Sequence, residues 1–303
     1  MRLRLVELDG NESAADVTAG LGICVQRLAC RDLGPKLRLW TTGRAIRSFA
    51  KRLDDAGAPT GTGPVLTLLG SGDFHHLTPV LLAQVDEPFT LIHFDNHPDW
   101  VRLAPRHHCG AWVNRALALT NIVRIVTVGS CSDDLAWPEL KGGNLAALGS
   151  GRLELYPWHR EPTTVIRRLA PSPCFRQNGR AFSWRNVGDD WHGFLDELHP
   201  RLPTDALWFT IDKDVLRPAD AGTNWDQGEM PLDALLDGIR RLARGKRILG
   251  ADLCGDYSVP DFGGNLFKRF EAWQDHPQPA PSMRIRNGEA NRAIIDALRE
   301  VME

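Results

Sequence analysis

The sequence predicts a three-layer α/β/α sandwich around a central, mostly parallel sheet, and two observations carry that expectation. Five apolar runs of strand length, 65–69, 90–94, 123–128, 206–211 and 248–253, contain β-branched and aromatic residues and lack the polar alternation of a sheet with one wet face. Stretches able to form helices lie between or after them, at 111–119, at 231–243 with Pro231 in the first turn, and at 289–302. Buried strands that alternate with helices need cover on both faces of the sheet, which is the three-layer arrangement.

Bulk properties agree with a globular chain. Hydrophobic residues make up 43% and charged residues 24% of 303, enough for a sizeable core and unlike a disordered or fibrous protein. The expectation is one α/β domain over 1–303. A formal charge of -2 argues against a polyanion partner, and the Arg-rich segment holding Arg240, Arg241, Arg244, Lys246 and Arg247 reads as a solvated helix end flanked by acidic residues. No nucleic acid is expected. The first ten residues lack the apolar core and cleavage site of a secretory signal, and no run of about 18 apolar residues occurs to span a bilayer. Six scattered cysteines without a CxxC pair suit reduced thiols, so the expected location is the cytoplasm, with no membrane partner.

Ligands of an open parallel sheet bind beyond the carboxyl ends of its strands, so the residues just past each run are where chemistry belongs. The run 65–69 leads into Gly70-Ser71-Gly72-Asp73-Phe74-His75-His76, where glycines permit close backbone approach and the histidines offer neutral imidazole nitrogens. The run 90–94 opens onto Asp95-Asn96-His97-Pro98-Asp99. Ligand-type residues at i, i+2 and i+4 leave an extended chain on one side and can enter one volume. Two carboxylates and an imidazole suit manganese, iron, nickel, cobalt or zinc, although alone the segment also reads as a polar turn with Asp95 capping a helix. Next, 170–192, rich in Pro, Arg, Asn, Gly and Trp without a steady period, is expected to be an irregular, lid-like excursion. The run 206–211 ends in Asp212-Lys213-Asp214. Burying two like charges is costly unless cations neutralise them; ion pairs with Lys213 and Arg217 are the alternative. Prolines at 277, 279 and 281 forbid a helix over 275–282. Three strand ends, each succeeded by ligand-type residues, point to a metal cluster.

These segments resemble, in the same order, the GGDHS, DAHxD and SxDxDxxDP motifs of the ureohydrolases: arginase, agmatinase, formiminoglutamase, proclavaminate amidinohydrolase and guanidine hydrolase. The counterparts are Gly72-Asp73-Phe74-His75-His76, Asp95-Asn96-His97-Pro98-Asp99 and Thr210-Ile211-Asp212-Lys213-Asp214-Val215-Leu216-Arg217-Pro218, and the resemblance spans roughly 65–257. It implies the arginase/deacetylase-like form of the fold and two divalent metal ions, manganese first, with nickel, iron, cobalt or zinc as alternatives. His75 would bind one ion and His97 the other, with Asp99 joining the His75 ion, Asp214 joining the His97 ion, and Asp95 and Asp212 bridging both. Ungapped matching selects His75, and a shift of one residue would select His76. Such ions, roughly 3.5 Å apart, lower the pKa of a shared water so that it can attack a trigonal carbon. The implied reaction hydrolyses a linear C–N bond of a cationic guanidino compound to urea and an amine, with Asp99 or Asp214 relaying a proton to the leaving amine. His108 stands where the family carries a His-Gly loop and is expected to contact substrate and transfer a proton. Thr223 belongs to a Gly-Thr stretch that would wall the pocket. Family members are often trimers or hexamers, so a homo-oligomer is expected.

Three departures mark a divergent branch. Asn96 replaces the usual Ala and is assigned to the substrate side, and Lys213 separates the two aspartates. Gly255 falls where a Glu would hold the guanidinium, leaving Asp256 next door as the candidate carboxylate. A metal-dependent deacetylase of an acylated amine and a non-catalytic metal-binding protein are therefore kept as alternatives.

Overall fold

The computed structural model of the protein describes residues 1–10, 18, 22, 24–103, 105, 107–276 and 283–303. Its strands, in chain order, are β1 (Arg2–Glu7), β2 (Val25–Ala29), β3 (Val65–Leu68), β4 (Phe89–Phe94), β5 (Ile122–Val128), β6 (Leu153–Tyr156), β7 (Thr163–Thr164), β8 (Phe175–Asn178), β9 (Ala181–Trp184), β10 (Ala206–Asp212) and β11 (Arg247–Cys254). Eight of them form one sheet in the order β2-β1-β3-β11-β10-β4-β5-β6, with parallel pairing throughout. Central strands β4 and β10 are buried along their whole length. Such strands need a helical layer on each face, so the fold is the expected three-layer sandwich.

The helices are amphipathic for the usual reasons. Gly43–Ala56 begins at Thr42, whose hydroxyl accepts the Ala45 N–H, and it buries Ala45, Ile46, Phe49 and Leu53 on one face. Leu232–Ala243 comes after Pro231, and Met283–Met302 packs on it and on β11, burying Ala290, Ile294, Ile295 and Leu298. The helix expected at 111–119 is shorter, a 3-10 turn at Cys109–Ala111 and then Val113–Ala116.

Other differences have local causes. β1 escapes an apolar-run criterion because Arg2 and Arg4 interrupt it, yet Arg4 is buried, donating to Gln26 Oε1 at 2.7 Å and to the Gly57 carbonyl at 2.7 Å. The stretch 170–192 is not irregular throughout: β8 and β9 form an antiparallel hairpin with β7 alongside. Gly179, at φ 60°, takes the left-handed position of its two-residue turn. Phe175, Phe182 and Trp184 anchor the hairpin, Trp184 against Trp100 with ring centroids 6.2 Å apart. Of the Pro-rich segment 275–282, residues 277–282 lie outside the described residues. Among the described residues no helix is long and apolar enough to cross a membrane.

Topology positions the site. β3, β11, β10 and β4 are neighbours in the sheet and all parallel, so the segments leaving their carboxyl ends emerge side by side at one edge.

Candidate metal centre

His75 leaves β3 on a 3-10 turn, Gly72–Leu77, and is the centre of the cluster. Its Nδ1 lies 3.1 Å from Asp95 Oδ2, 3.4 Å from Asp99 Oδ2 and 3.6 Å from Asp212 Oδ2. The opposite nitrogen, Nε2, is 2.8 Å from Thr210 Oγ1, and the Thr210 hydroxyl donates to Asp252 Oδ2 at 2.7 Å. A hydroxyl that gives its one proton to a carboxylate must accept from the imidazole, so Nε2 carries a proton and Nδ1 is the nitrogen turned to the three carboxylates. Nδ1 is buried and has no hydrogen-bond partner.

The other half is built around His97. Its Nδ1 lies 2.9 Å from Asp214 Oδ2 and 3.8 Å from Asp95 Oδ1. Asp95 thus turns Oδ2 to His75 and Oδ1 to His97, the placement of a bridging ligand. Backbone N–H groups hold the carboxylates: Asn96 donates to Asp214 Oδ1 at 3.0 Å, and Asp214 donates to Asp212 Oδ1 at 3.0 Å. Asp99 sits at φ 47°, unusual for a non-glycine residue, and the Trp112 indole N–H fixes its Oδ2 at 2.5 Å.

Electrostatics ask for added positive charge. Burial and neighbouring carboxylates push Asp95 and Asp212 up from the ordinary carboxylate range, and burial with Asp95 nearby pushes Asp214 up to about 8. Burial opposes charge on His75 and His97, but the surrounding carboxylates outweigh it and hold both imidazoles well above their usual pKa. Protons or divalent cations would satisfy the same demand. A buried imidazole nitrogen without a hydrogen-bond partner, set among carboxylate oxygens, fits a cation that displaces its proton.

Asp95, His97, Asp99, Asp212 and Asp214 floor a cavity of about 480 Å³, with His75 buried at its edge beside them. Asp133, Asp134, Asp226, Trp225 and His108 stand around it. The structure therefore brings together all six expected ligands, and it chooses His75: His76 is buried elsewhere, burial holding its imidazole well below the usual pKa, and neither ring nitrogen has a partner.

The expected substrate residues need correction. Only His108 lines the cavity, and both its nitrogens are engaged: Nδ1 accepts the Gly110 N–H at 2.9 Å and Nε2 lies 2.6 Å from Glu271 Oε1. Asn96 is spent inside the wall, donating to the Asp226 carbonyl at 3.0 Å and accepting the Cys131 N–H at 3.0 Å. Thr223 shapes its own loop, its hydroxyl donating to the Trp225 carbonyl at 2.9 Å. Asp256 is buried and ion-paired with Lys213, and Asn291 donates to it at 3.0 Å. The two departures at 213 and 256 thus answer each other, and the carboxylate is taken before any substrate arrives. Nor does Gly255 leave room: at φ 90°, a Cβ there would collide with Asp212 Oδ1.

Several functional residues escape a reading by motif. His93, on β4, lies two residues before Asp95 and on the same side of the chain, with Nε2 2.8 Å from Asp95 Oδ2, so period-two alternation would have found it. Asp226 faces His97 Nε2 at 2.9 Å, the carboxylate–histidine–metal arrangement, and no local pattern announces it. Asp134, whose carboxyl is raised chiefly by burial, lines the cavity.

No family model matches the sequence. An uncharacterized protein of Thermotoga maritima is 29% identical over 198 residues, which cover 65% of this chain, and the chain spans 60% of that relative's length. Among solved structures, an arginase from Bacillus cereus superposes with a TM-score of 0.62 at 15% identity, covering 98% of this chain and 97% of its own. A formimidoylglutamase from Bacillus subtilis gives 0.62 at 13% identity, covering 99% and 87%, and an agmatine ureohydrolase of Thermoplasma volcanium gives 0.58 at 14%, covering 99% and 91%. The chain therefore has the fold of the arginase, agmatine ureohydrolase and formimidoylglutamase structures.

Proposed function

We propose that the chain is a divergent ureohydrolase, a single-domain hydrolase that holds two divalent metal ions and cleaves a linear C–N bond of a small cationic guanidino compound to urea and an amine. One observation carries the reading: Asp95 offers one oxygen to the His75 group and the other to the His97 group, so two cation sites share a ligand at the floor of one cavity. His75, Asp95, Asp99 and Asp212 would hold one ion and His97, Asp95, Asp212 and Asp214 the other, with manganese the first candidate. Such a pair, when bound, supplies the Lewis acidity that makes water a nucleophile at neutral pH.

The chain's own groups do the rest. Thr210 and Asp252 set the His75 tautomer, Asp226 orients His97 and Trp112 fixes Asp99 Oδ2, and Asp99 or Asp214 would relay a proton from the attacking water to the leaving amine. At the mouth, Asp133 is occupied by Arg160 at 2.5 Å and Asp226 by His97 and Asn96, which leaves Asp134 to meet the substrate's positive charge. The cavity volume suits a small molecule.

The test is a turnover screen of chelator-treated protein reloaded with manganese or nickel, using arginine, agmatine, guanidinobutyrate and guanidine. Urea release supports the reading. Acetate release from acylated amines would move the chain to the deacetylating class, and stoichiometric metal without turnover on any of them would leave a binding protein.

A further inference from the structure

β11 ends between the two strands that deliver His75 and Asp212, and its last residue is a cysteine. Cys254 is the register partner of Asp212, so the two side chains leave the sheet on the same face. Its Sγ lies 3.1 Å from Asp212 Oδ2, which is itself 3.6 Å from His75 Nδ1, and ligand atoms of all three residues fall within 4.8 Å of one another. Ligands at about 2.3 Å (sulfur) and about 2.1 Å (oxygen) from one cation, set at a right angle, are about 3.1 Å apart. The thiol proton spans this separation as a hydrogen bond to Asp212, and replacing that proton with a cation would leave the two atoms placed as neighbouring ligands. The unpartnered, buried Nδ1 of His75 aims into the same volume.

We propose that Cys254 supplies a thiolate to the cation held by His75 and Asp212, making that half of the centre a nitrogen, oxygen and sulfur site suited to zinc or cobalt more than to manganese. The inference rests on the two-cation reading above. Binding breaks the Sγ–H bond, releases its proton to solvent and places the sulfur electron pair on the metal. The His97 half has no sulfur in its group and keeps the harder oxygen and nitrogen set, so the two ions are held by donors of different softness. Cys109 also lines the cavity, but its Sγ stands 3.8 Å from His108 Nδ1 and belongs to none of the ligand groups among the described residues.

The full chain, stripped with chelator and titrated with cobalt(II), decides the matter by its absorption spectrum. A near-ultraviolet thiolate-to-cobalt charge-transfer band is expected in the wild type and in Cys109→Ser, and its loss is expected in Cys254→Ser while the visible cobalt bands persist. Cobalt bound to the wild type without the charge-transfer band overturns the proposal, as does a band that survives in Cys254→Ser or disappears in Cys109→Ser. Should Cys254→Ser not fold, Cys254→Ala takes its place and is read in the same way. Failure of the wild type to bind cobalt or any other divalent ion would instead sink the two-cation reading itself.

Discussion

The floor and the mouth of the cavity are built on different principles. The floor is made of residues at the ends of β3, β10 and β4, buried, backbone-braced and crowded with carboxylates whose pKa values burial has raised. The mouth is made of loops after β5 and β10 whose acidic groups are partly exposed and contact one another little. Rigid strand ends fix a geometry that a metal pair requires, whereas loops leave the choice of substrate open to change.

The largest effect should come from the floor. Asp95→Ala, which removes the carboxylate that faces both halves, or Asp212→Ala, which removes the second bridging ligand of the proposed function, is expected to abolish stoichiometric metal binding and turnover together, measured by metal analysis and urea release. Retention of two ions in either variant would break the contrast. The next effect is on stability alone: Lys213→Met strips the partner from buried Asp256 and should cost about 3–5 kcal/mol in denaturant unfolding. Activity of the folded fraction should be unchanged. If Asp256→Asn instead raised KM without lowering stability, Asp256 would belong to the mouth after all.

Smaller effects sharpen the boundary. Asp226→Asn should weaken one of the two ions by about 10–100-fold, because it frees the far nitrogen of His97. Asp134→Asn should raise KM for a cationic substrate by roughly tenfold, about 1.4 kcal/mol, with kcat little changed. Finally, metal affinity should tighten as pH rises from about 6 to about 9, since the proton on Asp214 (about 8) must leave before the ion enters. The metal-free protein should behave oppositely. A carboxyl with a raised folded pKa contributes stability below its unfolded pKa of about 3.9 and loses it as pH climbs through about 8, so the melting temperature of the stripped chain should fall across that window.

Legibility in the sequence obeys the same division. Asp95, His97 and Asp99 were legible because alternation beyond a buried strand puts them on one side, and Asp212 and Asp214 because two carboxylates at a strand end demand a counter-charge. His93 was hidden inside an apolar run whose hydrophobic neighbours dominate the pattern. Asp134 and Asp226 were not legible at all: their place depends on how loops return to the cavity, which no local spacing encodes. Asp256 was misplaced because matching motifs by position ignores Lys213, whose ammonium, buried beside it, takes the carboxylate first. The hairpin at 175–184 was obscured by charged and polar residues, although Asn178-Gly179 was a usable turn signal.

The crowding of Gly255 against Asp212 and the Lys213 backbone closes that position to any side chain. Gly255→Glu would drive its first side-chain carbon into Asp212 Oδ1, the oxygen that accepts the Asp214 N–H, and so would disturb the carboxylate cluster before it gained an anchor. Engineering this chain to hold a guanidine from that position must therefore begin by re-routing the backbone at 254–256.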